Sequence, residues 1–159
     1  AFRGLEIAKS AGVKTILNPA PATDLPNGML ELCDYVTPNE TETEAITGIS
    51  VASVQDAERA SEELHKMGVK TPIITLGEKG AYLYGHGLVD PFLVGPVVET
   101  TGAGDAFNGG FATALSENHV PLEAVKIGCA TAGISVTRAG TAPSMPSRSE
   151  VDKLIATRK

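Results

Sequence analysis

The chain has 159 residues, of which 42% are hydrophobic and 20% charged, so it is long enough to bury a core and has the composition of a folded globular domain. Its net charge of −6 at pH 7, without a run of Lys or Arg, argues against a nucleic-acid-binding surface. Cys33 and Cys129 form no Cys-x-x-Cys pair and the histidines stand apart, so neither a disulfide framework nor a zinc site is expected. No apolar stretch approaches the roughly 20 residues of a membrane span and the first residues lack the form of a signal peptide, so we expect a cytoplasmic protein.

The first part of the chain is predicted to alternate helices with short strands. The strands fall at residues 13–17 and 35–37, and the helices at residues 2–11, 39–47 and 53–67. Ser53 and Asp56 form a capping-box-like start for the third helix, and Gly68 ends it. The residues of this helix that are predicted to face inward are Ala57, Ala60, Leu64 and Met67.

The middle of the chain changes to a hairpin pattern. A β-branched apolar run over residues 72–76, a turn over 77–80 and a partner strand over 81–84 predict two adjacent strands. Two further apolar runs follow at residues 92–94 and 96–98, and the second is expected to be the end of a strand. Three helices complete the chain, at about residues 105–116, 122–138 and 147–157. This alternation predicts an α/β fold with a mostly parallel sheet flanked by helices.

The stretch from Thr100 to Asp105, Thr-Thr-Gly-Ala-Gly-Asp, is predicted to carry the chemistry. Its small residues leave backbone N–H groups uncovered, and a helical pattern begins at Asp105. A glycine turn at a helix N-terminus binds an anion because unpaired amides and the positive end of the helix dipole point the same way. A carboxylate there suits a general base that takes a proton from a substrate hydroxyl during phosphoryl transfer. The alternative is that Asp105 only caps the helix.

Two other nucleotide-binding motifs are excluded. No Gly-x-Gly-x-x-Gly follows a strand with an acidic residue about 20 residues on, which excludes a Rossmann dehydrogenase. No Gly-Lys-Ser/Thr follows the glycines, which excludes a Walker P-loop.

The segment from Thr100 to Gly109 resembles the second signature of the ribokinase (PfkB-type) family of sugar and nucleoside kinases. Four further segments match the family in the expected order: Asn18 to Ala22, Thr37 to Glu42, Thr75 to Gly80 and Ser135 to Pro146. The resemblance implies a ribokinase-like α/β fold, of which residues 1–159 form the carboxyl-terminal, nucleotide-binding portion without the lid and the sugar-recognition half. Because the chain begins at Ala1 within a helical pattern, we expect a segment of a longer product.

The resemblance implies ATP-dependent phosphoryl transfer to the primary hydroxyl of a sugar, with ribose as first choice and fructose or adenosine as alternatives. It makes Asp105 the general base that binds the acceptor hydroxyl, and it gives the amides of Gly102, Ala103 and Gly104 the role of stabilising the transferring phosphoryl group. Mg²⁺ would enter with the nucleotide, and the full-length enzyme would be a homodimer. The rival interpretation is that the chain alone is a nucleotide-binding half without activity.

Two segments carry the nucleotide contacts that the resemblance implies. Asn39 would contact the phosphates and Glu42 would place Mg²⁺ through water, although Asn followed three residues later by Glu is also the pattern of a capping box. The second segment would form the nucleotide-binding edge: Thr75, Leu76, Gly77, Glu78, Lys79 and Gly80. Lys79 faces either phosphate or solvent, and we expect solvent. Cys129 would lie near the adenine ring, or it is a small buried core residue.

The resemblance also implies a monovalent-cation site, with K⁺ as the ion, beside the anion-binding turn. Its groups would be carbonyls and a carboxylate at six positions: Glu99, Thr101, Ser135, Arg138, Gly140 and Ser144. Glu99 departs from the aspartate that the family usually has at this place. Its extra methylene moves the carboxylate, so whether Glu99 supports a K⁺ site stays open.

Overall fold

The computed structural model describes residues 1–21 and 25–157, so Ala22 of the first matching segment lies outside the described residues. Within them the strands are β1 (Ile16–Leu17), β2 (Tyr35–Val36), β3 (Thr71–Thr75), β4 (Ala81–Leu83) and β5 (Gly87–Val89). The helices are α1 (Phe2–Ser10), α2 (Glu40–Thr47), α3 (Val54–Lys66), α4 (Ala103–Ser116), α5 (Pro121–Ser135) and α6 (Arg148–Ala156). None of the described helices has both the length and the apolar character to cross a membrane.

The chain divides into two compact units. The first comprises Ala1–Gly77 with Tyr82–Leu88, and the second comprises Glu78–Ala81 with Val89–Lys159.

The five strands form one sheet in the order β1-β2-β3-β4-β5. β2 pairs in parallel with β1 and with β3, so that Tyr35 lies opposite Ile16 on one side and Thr71 on the other. The link between β3 and β4 is too short for a crossover, which makes this pair a hairpin, and the Tyr84 N–H donates to the Pro72 carbonyl at 3.1 Å. The mostly parallel α/β sheet and the hairpin predicted from the sequence are confirmed.

Helix α3 packs its apolar face into the core of the first unit. The predicted capping box is formed, because the Ser53 hydroxyl accepts from the Asp56 N–H at 3.2 Å and the Asp56 carboxylate accepts from the Ser53 N–H at 2.9 Å. Three predicted inward residues are fully buried: Ala57, Ala60 and Leu64. They share a cluster with Val36 of β2 and Ile74 of β3, so the helix covers the parallel strands.

The prediction that Met67 faces inward is wrong. Met67 is 37% exposed, because α3 ends at Lys66 and Met67 is its C-cap, where the helical periodicity no longer sets the direction of the side chain.

Two predicted strands are also shorter or absent. The strand expected over residues 13–17 is reduced to β1, since the Thr15 N–H donates to the Asp34 carboxylate at 3.0 Å and not to a strand. Residues 96–98 form no strand, because the N–H groups of Val98 and Glu99 both donate to the Val136 carbonyl at the end of α5. The turn before α4 is therefore held by α5 and not by a sheet.

Helices α4 and α5 pack closely in the second unit. Phe107 and Phe111 stack with ring centroids 6.1 Å apart, and Phe111 is fully buried. A Cβ at Gly128 of α5 would lie 2.9 Å from the Phe107 ring, and one at Gly110 of α4 would lie 2.3 Å from the Thr131 hydroxyl. The small residues that the sequence places in these helices therefore permit close contact between their backbones.

We expect Gly110→Ala to lower the free energy of unfolding by about 1–3 kcal/mol, because the added methyl overpacks the α4–α5 contact. Gly109→Ala is the matched control, since a Cβ at Gly109 would meet nothing within 4 Å and alanine is the better helix former. The measurement is the urea midpoint of each variant. Equal urea midpoints of the two variants would show that the α4–α5 contact accommodates the added methyl without a loss of stability.

Candidate functional site

The turn before α4 depends on one glycine with a left-handed backbone. Gly102 is the N-cap of α4 and has φ = 82° and ψ = 4°, a conformation that side chains disfavour. A Cβ there would also lie 3.3 Å from the Thr141 side chain. The glycine therefore allows both the tight turn and the approach of the loop that contains Thr141.

The first amides of α4 are partly unbonded. The Ala103 N–H donates to the Thr100 carbonyl at 3.1 Å, and the Ala106 N–H donates to the Gly102 carbonyl at 2.9 Å. Among the described residues, neither the Gly104 N–H nor the Asp105 N–H donates to a backbone carbonyl. Unpaired amides at the positive end of a 14-residue helix are suited to binding an anion, and the anion site here stays a prediction. Of the three amides predicted to face a phosphoryl group, that of Ala103 is engaged within the turn.

Asp105 lies in the first turn of α4 with an exposed side chain. If Asp105 only capped α4, its side chain would form a hydrogen bond at the start of this helix. Among the described residues, no side chain hydrogen-bonds to the N-cap of α4. Helix α3 differs, since it starts with a reciprocal capping box formed by Ser53 and Asp56. The Asp105 carboxylate therefore stands beside the unbonded amides without a capping role.

Asn39 and Glu42 form the capping box of α2 in the first unit. The Glu42 N–H donates to Asn39 Oδ1 at 2.9 Å, and the Asn39 N–H donates to Glu42 Oε2 at 2.9 Å. This confirms the structural interpretation of the motif. Contacts of these residues with phosphate and Mg²⁺ stay predictions, and the capping box uses only one of the two carboxylate oxygens.

Asn39 also lies beside a residue of the predicted nucleotide-binding edge. Asn39 and Thr75 form a parallel bridge, and the Thr75 N–H donates to the Pro38 carbonyl at 2.9 Å. The structure thus brings together two predicted ligand contacts at the carboxyl end of β3, the usual location of ligands in such sheets.

The segment after Thr75 turns through a short 3₁₀-helix, Gly77–Lys79. Leu76 is buried, whereas Glu78 and Lys79 are exposed. Whether Lys79 faces phosphate or solvent when nucleotide is bound stays a prediction. Gly80 is required sterically, because a Cβ there would lie 2.1 Å from the Val89 carbonyl oxygen.

Cys129 is buried in α5. Burial, and to a smaller extent the charge of Asp90, raise the pKa of its thiol to about 12, so the thiol is protonated at neutral pH and is not a thiolate nucleophile. Its packing agrees with the core interpretation, and the proposed proximity to adenine stays a prediction.

The six positions implied for a monovalent cation lie in the second unit. One oxygen of Glu99 accepts the Gly140 N–H at 2.7 Å, and this bond, followed by one from the Thr101 side chain, lowers the pKa of the Glu99 carboxyl. The Ser135 carbonyl accepts the Arg138 N–H at 3.0 Å.

The side chains of this set are likewise engaged within the chain. The Ser144 hydroxyl donates to the Thr141 carbonyl at 2.6 Å, and Arg138 pairs with Glu150 of α6. No group of three or more His, Cys, Asp or Glu side chains that could hold a metal ion occurs among residues 1–21 and 25–157. These hydrogen bonds leave lone pairs on the Glu99 carboxylate and on the carbonyl oxygens, so the monovalent-cation site stays a prediction.

Sequence reasoning missed two long-range contacts that build this site. They are the Glu99–Gly140 bond and the packing of Thr141 against Gly102. Glu99 and Gly140 both belong to the set predicted for a monovalent cation. That set indicated that the two residues lie close together, but not that they form a direct hydrogen bond.

Comparisons with known proteins identify the family to which the chain is similar. A profile described as pfkB family carbohydrate kinase matches residues 3–148. A ribokinase of Haemophilus influenzae is 47% identical over 148 residues, which is 91% of this chain and 48% of the relative. A deoxyribokinase of Salmonella typhi is 35% identical over 159 residues, which is 98% of this chain and 52% of the relative.

The chain is also similar to a ribokinase of known structure. The structure of Arabidopsis thaliana ribokinase complexed with ribose and ATP superposes with a TM-score of 0.91 at 34% identity, covering 97% of this chain and 51% of that one. The chain spans about half the length of the curated relatives it matches.

Proposed function

The chain belongs to the pfkB family of carbohydrate kinases, and on that basis we propose that the full-length protein transfers the γ-phosphoryl group of ATP to the primary hydroxyl of ribose. The observation that carries the proposal is the start of α4. There, the exposed Asp105 carboxylate adjoins the unbonded amides of Gly104 and Asp105. A base and an anion site in one helical turn are what phosphoryl transfer to an alcohol requires.

In the proposed reaction Asp105 accepts the proton of the acceptor hydroxyl as the oxygen attacks phosphorus. The amides at the start of α4, with the helix dipole, stabilise negative charge on the equatorial oxygens of the transferring group. The left-handed Gly102 sets the direction of these amides by fixing the entry of the chain into the helix.

Mg²⁺ bound with the nucleotide would neutralise phosphate charge. Glu42 is the residue proposed to contact it through water, since the capping box leaves Glu42 Oε1 unused. Asn39, Thr75 and the segment up to Gly80 are proposed to contact ATP, as is Cys129 at the adenine ring.

Ribose is proposed as the acceptor because a ribokinase matches at 47% identity, against 35% for a deoxyribokinase. The test is a coupled assay of ADP release by the protein at its natural length, with ribose, 2-deoxyribose, fructose and adenosine as acceptors. We expect kcat/KM to be highest for ribose, by at least about tenfold over each other acceptor, because a site that hydrogen-bonds a substrate hydroxyl discriminates strongly against an analogue without it. A higher value for another acceptor would reassign the substrate within the family. A homodimer is proposed for the same protein and is tested by light scattering.

We expect the chain of residues 1–159 by itself to bind ATP weakly and not to phosphorylate ribose. It spans about half the length of its relatives, and the residues that recognise the sugar are proposed to lie outside it. The measurement is ADP release from the purified chain during a ribose titration. Saturable, ribose-dependent turnover would place the acceptor site within these residues.

A further inference from the structure

We propose that a cleft of the first unit, between α3 and β4 with the turn that follows β4, binds a guanidinium group through two carboxylates and an aromatic ring. This α3–β4 cleft has a volume of about 430 Å³, which lies within the range of small-molecule sites. None of its residues belongs to the set proposed to contact ATP or Mg²⁺, so it would be a second site.

The two walls of the α3–β4 cleft present different chemical groups. Glu58, Ser61 and Glu62 are three and four residues apart on α3, so they share one face of that helix. Tyr82 lies on β4 and Tyr84 follows two residues later, so both side chains are on the same side of the strand. Residues 85–87 complete the lining. Carboxylates therefore face aromatic rings across the cleft.

Glu58 and Glu62 lack the cationic partners that the other acidic residues of α3 have. Those other residues each pair with a basic residue of the same helix: Asp56 with Arg59, and Glu63 with Lys66. Within the part of the chain that the structure describes, neither Glu58 nor Glu62 forms an ion pair. Like charges four residues apart on a helix repel each other. A cation bound in the cleft would relieve this repulsion.

Tyr82 shows that both carboxylates act on the interior of the cleft. It is buried, and its hydroxyl donates to the Glu58 carboxylate. Burial raises the pKa of this hydroxyl above its ordinary value, and the charges of Glu58 and Glu62 raise it further. Since a carboxylate has two oxygens, Glu58 can still accept hydrogen bonds from a ligand.

The combination of groups favours a guanidinium over other cations. A guanidinium has five N–H donors in one plane, which can bond two carboxylates, and its face stacks on an aromatic ring. Tyr84 offers a half-buried ring whose orientation is fixed by stacking on His65, with 4.4 Å between the ring centroids. An ammonium is a point charge without a face to stack. A divalent metal ion requires more oxygen ligands than two carboxylates supply.

The test is a ligand-observed NMR titration of the protein at its natural length with methylguanidinium, at pH 8 and constant ionic strength. We expect saturable binding with a dissociation constant of about 1–10 mM, as two exposed ion pairs and one cation–π contact allow for a small ligand. Methylammonium should bind more weakly.

Glu58→Gln and Glu62→Gln should each raise the dissociation constant by about threefold or more, the scale of an ion pair at an exposed site. Glu63→Gln is the matched control, because it removes the same charge from the same helix at a residue that pairs with Lys66. It should leave the dissociation constant unchanged. Tyr84→Leu should weaken binding by about threefold, whereas Tyr84→Phe keeps the ring and should not.

A second titration with N-acetyl-arginine N-methylamide distinguishes two sources of the guanidinium. Binding equal to that of methylguanidinium would support the site and indicate an arginine side chain of a protein. Weaker binding would support the site and indicate a small free guanidinium compound.

Three outcomes would overturn the proposal: no saturable binding of methylguanidinium, an equal effect of Glu63→Gln and Glu58→Gln, or equal binding of methylammonium. If Tyr84→Leu does not fold, the glutamate variants and the methylammonium comparison decide the question. None of these measurements uses ATP or a sugar, so their failure would leave the proposed phosphoryl transfer unaffected.

Discussion

Asp105→Asn in the full-length protein is expected to lower turnover by at least ~10²-fold, the range for loss of a general base. The amide keeps the shape of the side chain but cannot accept the proton of the acceptor hydroxyl. The ATP affinity should change little, because the unbonded amides and the dipole of α4 are retained. The measurements are kcat from ADP release and the ATP dissociation constant from calorimetry.

Asp152→Asn is the matched control, since Asp152 is an exposed carboxylate of the same unit that pairs with Arg148. It should leave turnover unchanged. If Asp105 were a capping residue, the Asn variant would retain turnover, and an Ala variant would lower stability by about 1 kcal/mol. Unchanged turnover of Asp105→Asn would remove this residue from the mechanism.

Local sequence patterns predicted the parts of the site that depend on neighbours in the chain. The capping box of Asn39 and Glu42 is formed by residues three apart, and the anion turn requires only that Gly102 precede a helix. Both follow from backbone geometry within one turn, so spacing alone reveals them.

The contacts that the sequence did not predict join segments that lie far apart along the chain. The Glu99–Gly140 hydrogen bond depends on the conformation of the chain where α5 ends. The spacing of apolar residues gives no information about that conformation. The same helix end explains the wrong strand at residues 96–98, because the Val136 carbonyl takes two N–H groups that a strand would have needed. Apolar runs predict burial on a sheet, but Val97 and Val98 are largely exposed here.

Gly104→Val is expected to lower turnover by at least ~10²-fold, the loss seen when one donor to a developing negative charge is removed. A branched side chain at Gly104 would cover the unbonded amides at the start of α4 and exclude the phosphoryl group. The protein itself should tolerate the change, since Gly104 lacks a left-handed φ and a Cβ there would meet nothing within 4 Å. Gly102 differs, because its left-handed φ and its contact with Thr141 would make any side chain there a folding defect.

Gly109→Val on the same helix separates the loss of the anion site from a general effect of valine on the stability of the protein. Gly109 is exposed and a Cβ there would also meet nothing within 4 Å, so the control introduces the same side chain into α4 away from its amides. We expect both variants to melt near the unaltered protein, and only Gly104→Val to lose turnover and ATP affinity. Equal turnover of the two variants would show that the phosphoryl group does not approach the start of α4, and the anion site would have to be sought at Asn39 and Thr75 in the first unit.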